Sequence, residues 1–293
     1  MAQEREGQAV GVADAVNATL GRRDDVVEAV TSGHRPPRGP QRFVTSPGVC
    51  RQRWHWRHQL HGFHAQLPGA STAPAHSTIS LPVGSQPGDV LFNGDGRLLA
   101  GTRVATSLID SFAVGRDGRL AAAPGSPFPA QGLGPFGSEF RPTNVRQLFV
   151  SNAHNPAPNS GTVSAFRVAA DATLTSIGSS PFPNNQTAPC WIEISHDGQV
   201  LFTVNTAVPS ISRYSIAANG SLTLLGSTPF KPSPVALTPQ DARLDPAGDT
   251  LWVVDTGGRA VSALAVHGGD LSELSSSPTP LPAGSAPFGI VVT

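Results

Sequence analysis

IEISHDGQVLFTVN (Ile192–Asn205) returns fifty residues later as ARLDPAGDTLWVVD (Ala242–Asp255). Two earlier stretches match them, VLFNGDGRLLAGT (Val90–Thr102) and SEFRPTNVRQLFVSN (Ser138–Asn152). Their ends, Thr102, Asn152, Asn205 and Asp255, are spaced by 50, 53 and 50 residues. Other features keep the same step. An apolar-containing pair recurs at Ser111-Phe112, Ala165-Phe166, Arg213-Tyr214 and Ala263-Leu264. A turn followed by leucine recurs at Gly118–Leu120, Ala172–Leu174, Gly220–Leu222 and Gly269–Leu271. A Ser/Thr-Pro pair recurs at Ser126-Pro127, Ser180-Pro181, Thr228-Pro229 and Ser277-Pro278. Finally PVGSQPG (Pro82–Gly88) comes back as PAGSAPFG (Pro282–Gly289). A fixed period of this length marks a repeat architecture.

Within each unit the elements are short. An apolar strand enters a turn containing Asp, Asn or Gly, and a second apolar strand such as QLFVSN or TLWVVD follows. The third segments, TVSAFRV, SISRYSI and AVSALAV, alternate with the period of two that a strand requires. A turn and a shorter fourth segment complete the unit. Four strands per fifty-residue repeat without helical periodicity predict an all-β protein, a β-propeller of four-stranded blades with four recognisable repeats. A β-sandwich with accidental similarity is the competing architecture.

Composition agrees with many strands joined by turns. The chain has 31 glycines and 28 prolines among 293 residues, below the share at which disorder becomes the rule. Twenty basic residues balance twenty acidic ones, which gives no electrostatic footprint for nucleic acid or an anionic membrane. No apolar run approaches the length of a membrane span. Met1–Gln8 carries Glu4, Arg5 and Glu6 and does not read as a signal peptide, and the compartment stays undetermined. The two cysteines, Cys50 and Cys190, form no CxxC pair or framework, and Cys190 reads as a small, free, buried hydrophobe.

The repeat occupies residues 77–293, and residues 1–76 share none of it. Gln8–Val30 is rich in Ala and Val and offers a helix that Gly11, Asn17 and Gly21 weaken. SGHRPPRGPQR (Ser32–Arg42) lacks core residues, and His55, His58, His61 and His64 follow at intervals of three. Imidazoles three apart can share a helix face and bind metal. No carboxylates stand nearby to orient them, so the segment is read as irregular, low-complexity chain, disordered or misassigned, without a metal.

Two stretches carry a family resemblance: GPFGSEFRP…QLFVSNAHNPAPNSGTVSAFRVAADATL (Gly134–Leu174) and TAPCWIEISHDGQVLFTVNT…ISRYSIAANGSLTLL (Thr187–Leu225). They resemble the lactonase-family seven-bladed propellers, which include cycloisomerase-type 6-phosphogluconolactonases and carboxymuconate-lactonising enzymes. The resemblance runs from Ile79 to Thr293. It implies hydrolysis of a sugar-derived or muconolactone-type lactone, without a cofactor, from His, Arg and acidic residues at the central channel. It also implies a small-molecule lactone or carbohydrate as partner, and a homo-oligomer if four blades leave the ring open. Two departures stand out. Four repeats are present, with APFGIVVT resembling the first strand of another and Ser77–Ser85 the outer strand of a preceding blade. And where the family reads Pro-Arg-His, this chain has Pro189-Cys190-Trp191 and Pro287-Phe288-Gly289.

Aligning the repeats on the turn glycine places Glu193 and Arg243 at one blade position, with Glu139 as their equivalent across a one-residue insertion. Asp89, Trp191 and Asp241 share the position two residues earlier. Opening a lactone needs a base for water and a cation for the developing oxyanion. Glu193 or Asp241 can serve as base and Arg243 as cation, with His196 or His154 as further bases because histidine titrates near neutrality. Glu139, Trp191 and His154 are the candidates for contacting substrate. The competing reading is a noncatalytic propeller that presents loops to a protein or carbohydrate, with the same charges pairing only for structure.

Overall fold

The computed structural model describes the strands Val27–Thr31, Arg42–Val44 and Gln59–His64, residues 78–290 except 117 and 156, and residue 292. Four antiparallel sheets follow one another along the chain as blades. Their first three strands are Pro87–Phe92, Leu98–Arg103 and Leu108–Val114 in blade one, and Pro135–Arg141, Asn144–Asn152 and Thr162–Val168 in blade two. In blade three they are Pro189–Ile194, Val200–Asn205 and Ser210–Ile216, and in blade four Pro239–Leu244, Thr250–Asp255 and Ala260–His267. The fourth strand is the shortest in blades one, two and four, where a two-residue strand such as Phe182–Pro183 then pairs back onto the third. Blade three instead has one long fourth strand, Leu222–Pro229.

The repeated sequence features acquire roles. The residue that opens the first turn caps it. Asn93 accepts the amides of Arg97 and Leu98, Ser195 accepts that of Val200, and Asp245 accepts that of Asp249. Such short polar side chains mimic a backbone turn. In the Ser-Pro pairs the serine hydroxyl accepts an amide of the third strand: Ser126 from Ser111, Ser180 from Ala165, Ser277 from Ala263. These amides fall where the short fourth strand gives way to the two-residue strand.

Each second strand carries apolar residues at consecutive positions because its blade is buried on both faces. In blade two, Leu148 and Val150 join Leu91, Ile109 and Phe140 between blades one and two. Phe149, on the other face, joins Ile192, Ile194, Leu201 and Tyr214 between blades two and three. A third cluster joins Trp191, Phe202 and Val204 to Ala242, Leu251 and Val253 between blades three and four. Burying a side chain of this size is worth about 1.5–3 kcal/mol.

Hydrogen bonds repeat across these seams. Thr102 donates its hydroxyl to the Phe136 carbonyl and Ser151 to that of Cys190, while Thr206 donates to Pro239 and Thr256 to Pro287. The Asp89 carboxylate accepts the Ser138 amide at 2.9 Å, and Asp241 accepts the Ile290 amide at 3.2 Å. Pro287–Ile290 therefore sits against blade four as the start of blade two sits against blade one. The turns leading into blade one and into Pro287 match as well, with Ser85 bonded to Pro82 and Ser285 to Pro282. At the other end, Ile79 and Leu81 cover the outer face of blade one. Arg141 ties blade two to blade three by donating to the carbonyls of Gly198, Ile216 and Ala217. Lys231, in the connector between blades three and four, donates its ammonium to the carbonyls of Leu274 and Ser277, and its amide to Glu273.

Three points depart from the expectations. Strand pairing puts Arg103, not Thr102, opposite the opening proline, at the place Asn152, Asn205 and Asp255 hold in their blades. Cys190 is disulfide-bonded rather than free, and no described cysteine is free. Residues 27–30, the end of the expected helix, lie in a strand that pairs in parallel with Gln59–His64, and residues 8–26 lie outside the described residues. Arg42–Val44 pairs antiparallel with the first strand of blade one. Of the four histidines, His61 and His64 fall in Gln59–His64, while His55, His58 and also Cys50 lie outside the described residues.

Candidate functional site

The first strands pack side by side in chain order, blade one on two, two on three and three on four. A residue at one repeat position on each strand is therefore carried to a common region. Pairing registers confirm which positions correspond: Glu139 lies opposite Phe149, Glu193 opposite Phe202 and Arg243 opposite Trp252. Leu91, opposite Ala100, holds the place in blade one.

The three charged members meet. Arg243 Nη1 donates to a Glu193 carboxylate oxygen at 2.9 Å and lies 3.6 Å from a Glu139 oxygen. Glu139 and Glu193 are buried, and the Arg243 side chain is 16% exposed. Burial alone would lower the Arg243 pKa. The fields of Glu193, Asp241 and Glu139 outweigh it and hold the guanidinium above its ordinary value, so it stays charged.

Asp241 is buried beside this group and is committed to the backbone. One oxygen accepts the Ala242 amide at 2.8 Å and the other that of Ile290. Asp89 holds blade two to blade one in the same way, which makes this a repeated seam contact rather than a feature of one site.

Trp191 precedes Glu193 by two residues on the same strand and is fully buried. Its indole meets Phe136 edge-on with centroids 5.3 Å apart and Phe288 at 6.0 Å. Edge-to-face contacts at such distances are the favoured aromatic geometry. Phe136 and Phe288 follow the opening prolines of their segments, a position whose value as an aromatic wall the sequence alone did not reveal. Gly137 permits the approach: a Cβ there would come within 2.8 Å of the Cys190 carbonyl and of Trp191 Cα.

Both candidate histidines lie outside the strands. His154 sits in the loop after the second strand of blade two, 6.3 Å from the Phe136 ring, and burial lowers its pKa. His196 is exposed in the turn that follows Ile194 and covers Gly248 of the next blade. No group of three or more His, Cys, Asp or Glu side chains suited to a metal occurs among the described residues. No helix of the described residues is long and apolar enough to cross a membrane.

Successive four-stranded blades, with buried charges meeting between their first strands, define a β-propeller. Residues 140–291, just over half of the chain, match the family described as lactonase, 7-bladed beta-propeller, and the chain belongs to that family. Among solved structures it is similar to a 6-phosphogluconolactonase-like protein from Bacteroides fragilis, with TM-score 0.61 and 19% identity over 78% of this chain and 66% of that one. A second such protein, from Bacteroides uniformis, gives TM-score 0.59 and 20% identity over 75% and 64%. The periplasmic gluconolactonase PpgL from Pseudomonas aeruginosa gives TM-score 0.51 and 19% identity over 63% and 55%. At these identities the likeness is one of fold, and the chain spans less than two thirds of each of these structures. The chain has no significant match among curated protein sequences.

Proposed function

We propose that the protein opens a lactone ring by cofactor-independent hydrolysis at the Glu139–Glu193–Arg243 group. The observation that carries this reading is the convergence of two carboxylates and a guanidinium from three consecutive blades on one point. In the proposed step Glu193 takes a proton from water as its oxygen adds to the lactone carbonyl carbon. Arg243 meets the charge that develops on the carbonyl oxygen through its remaining N–H groups. The ring C–O bond then breaks and the leaving oxygen takes up the proton, giving a hydroxy acid. Glu139 holds Arg243 from the other side. Family membership supports the reaction class, and within it the proposed substrate is a sugar-derived or muconolactone-type lactone.

A second reading, a noncatalytic propeller binding a protein or carbohydrate, draws on the fact that Arg243 is already engaged by Glu193. One assay separates them. Ring opening by the full chain is expected to fall about 10²–10³-fold in kcat/KM for Arg243→Ala, the usual effect of losing one oxyanion donor, and to a similar extent for Glu193→Gln. Activity untouched by both substitutions would remove the site from the reaction. Absence of turnover on every lactone tried favours the binding scaffold.

A further inference from the structure

We infer that the lactone this site takes is uncharged, lacking a phosphate or carboxylate group. The inference rests on the proposed reaction at Arg243 and narrows its substrate class.

An anionic substituent buried in a protein needs a cation of its own, because stripping its water is costly unless a charge partner replaces it. Arg243 cannot supply both needs. Its Nη1 is bonded to Glu193 and faces Glu139, and the rest of the guanidinium is required at the carbonyl. Two arginines that stand on or opposite the first strands are committed elsewhere. Arg141 turns away into the seam with blade three, bonded to Gly198, Gln147, Ile216 and Ala217. Arg103 is held by both oxygens of Asp110.

The neighbouring positions are aromatic. Trp191 lies two residues from Glu193 on one strand, and Phe136 and Phe288 close on it from either side. Side chains two apart on a strand share a face, so this apolar wall adjoins the carboxylate. Glu139 and Glu193 add like-sign repulsion for an incoming anion, and at close range such repulsion is substantial. An uncharged lactone meets none of these penalties and can lay its C–H face on the phenylalanines, both of them partly exposed.

The test uses a matched pair of probes on the full chain: D-glucono-δ-lactone and its 6-phosphate for turnover, and the corresponding lactams, which do not open, for calorimetry. The neutral lactam is expected to bind at least about tenfold more tightly than the phosphorylated one, a gap of 1.4 kcal/mol or more. Phe288→Arg, at a partly exposed position, is expected to narrow that gap by offering the missing cation, and Phe136→Arg does the same should the first variant fold poorly. Equal or tighter binding of the phosphorylated lactam by the unmodified chain overturns the inference and leaves the hydrolase reading standing. Binding of the neutral lactam without opening of the neutral lactone sinks the hydrolase reading and keeps the charge preference. Binding of neither lactam overturns the inference.

Discussion

His154 carries its imidazole into a partly buried place beside Phe136, and burial lowers its pKa. The folded protein therefore holds this histidine neutral at pH values where the unfolded chain, titrating at about 6.5, already binds a proton. Stability from this source is fully present above that pH and is lost as the pH falls below it. Urea midpoints should thus drop as the pH falls below about 6.5, and less steeply in His154→Gln; equal slopes in the two proteins would assign the loss to other groups. Single residues also show the limits of reading a sequence. Glu139, Glu193 and Arg243 were legible as equivalents because the turn glycine set their register, and the structure brings those three together. Nothing in a one-dimensional pattern shows that the Asp241 carboxylate receives an amide from Ile290, 49 residues away. Cys190 looked like a free thiol because no CxxC pair or framework marks it as bonded.

At the scale of the strand, alternation was a sufficient guide where a strand is regular. Thr162–Val168 and Ser210–Ile216 span the residues whose alternation marked them. Arg103 was misplaced by one residue because its chemistry differs from its counterparts while its role does not. It reaches the third strand through Asp110, as Asn152 reaches Ser164 and Asn205 reaches Ser212. Both members of the pair changed together, which hides the likeness from an alignment. Gly137 shows how closely first strands approach. Gly137→Ala pushes a methyl group against the Cys190 carbonyl and Trp191 Cα. The expected cost is about 1–3 kcal/mol, read as a lower urea midpoint with an unchanged slope. A neutral result would mean that the two strands separate easily at this seam, which would also loosen the Trp191 wall.

Taken as a whole molecule, the chain distributes its core over the seams rather than within the sheets. Each seam mixes side chains from two blades, and the same pattern continues past blade four, where Val254 and Val261 gather with Ile290. The repeat made this architecture legible, since a sheet with two buried faces writes apolar residues at consecutive positions. The seams themselves were not legible, because side chains that touch across them are about fifty residues apart and share no local signal. The connector between blades three and four carries one consequence for chemistry at the bench. Lys231 is the sole lysine of the sequence, and its amine is tethered to two carbonyls of blade four. Acylating that nitrogen means giving up both bonds. Acyl uptake at this residue, followed by mass spectrometry, is thus a clock for how often the connector and blade four part. It should run at least about tenfold slower than for a free lysine, as expected for a site behind a local opening step, and rise to the free rate in denaturant. A rate equal to that of free lysine from the outset would show that the tether does not hold in solution.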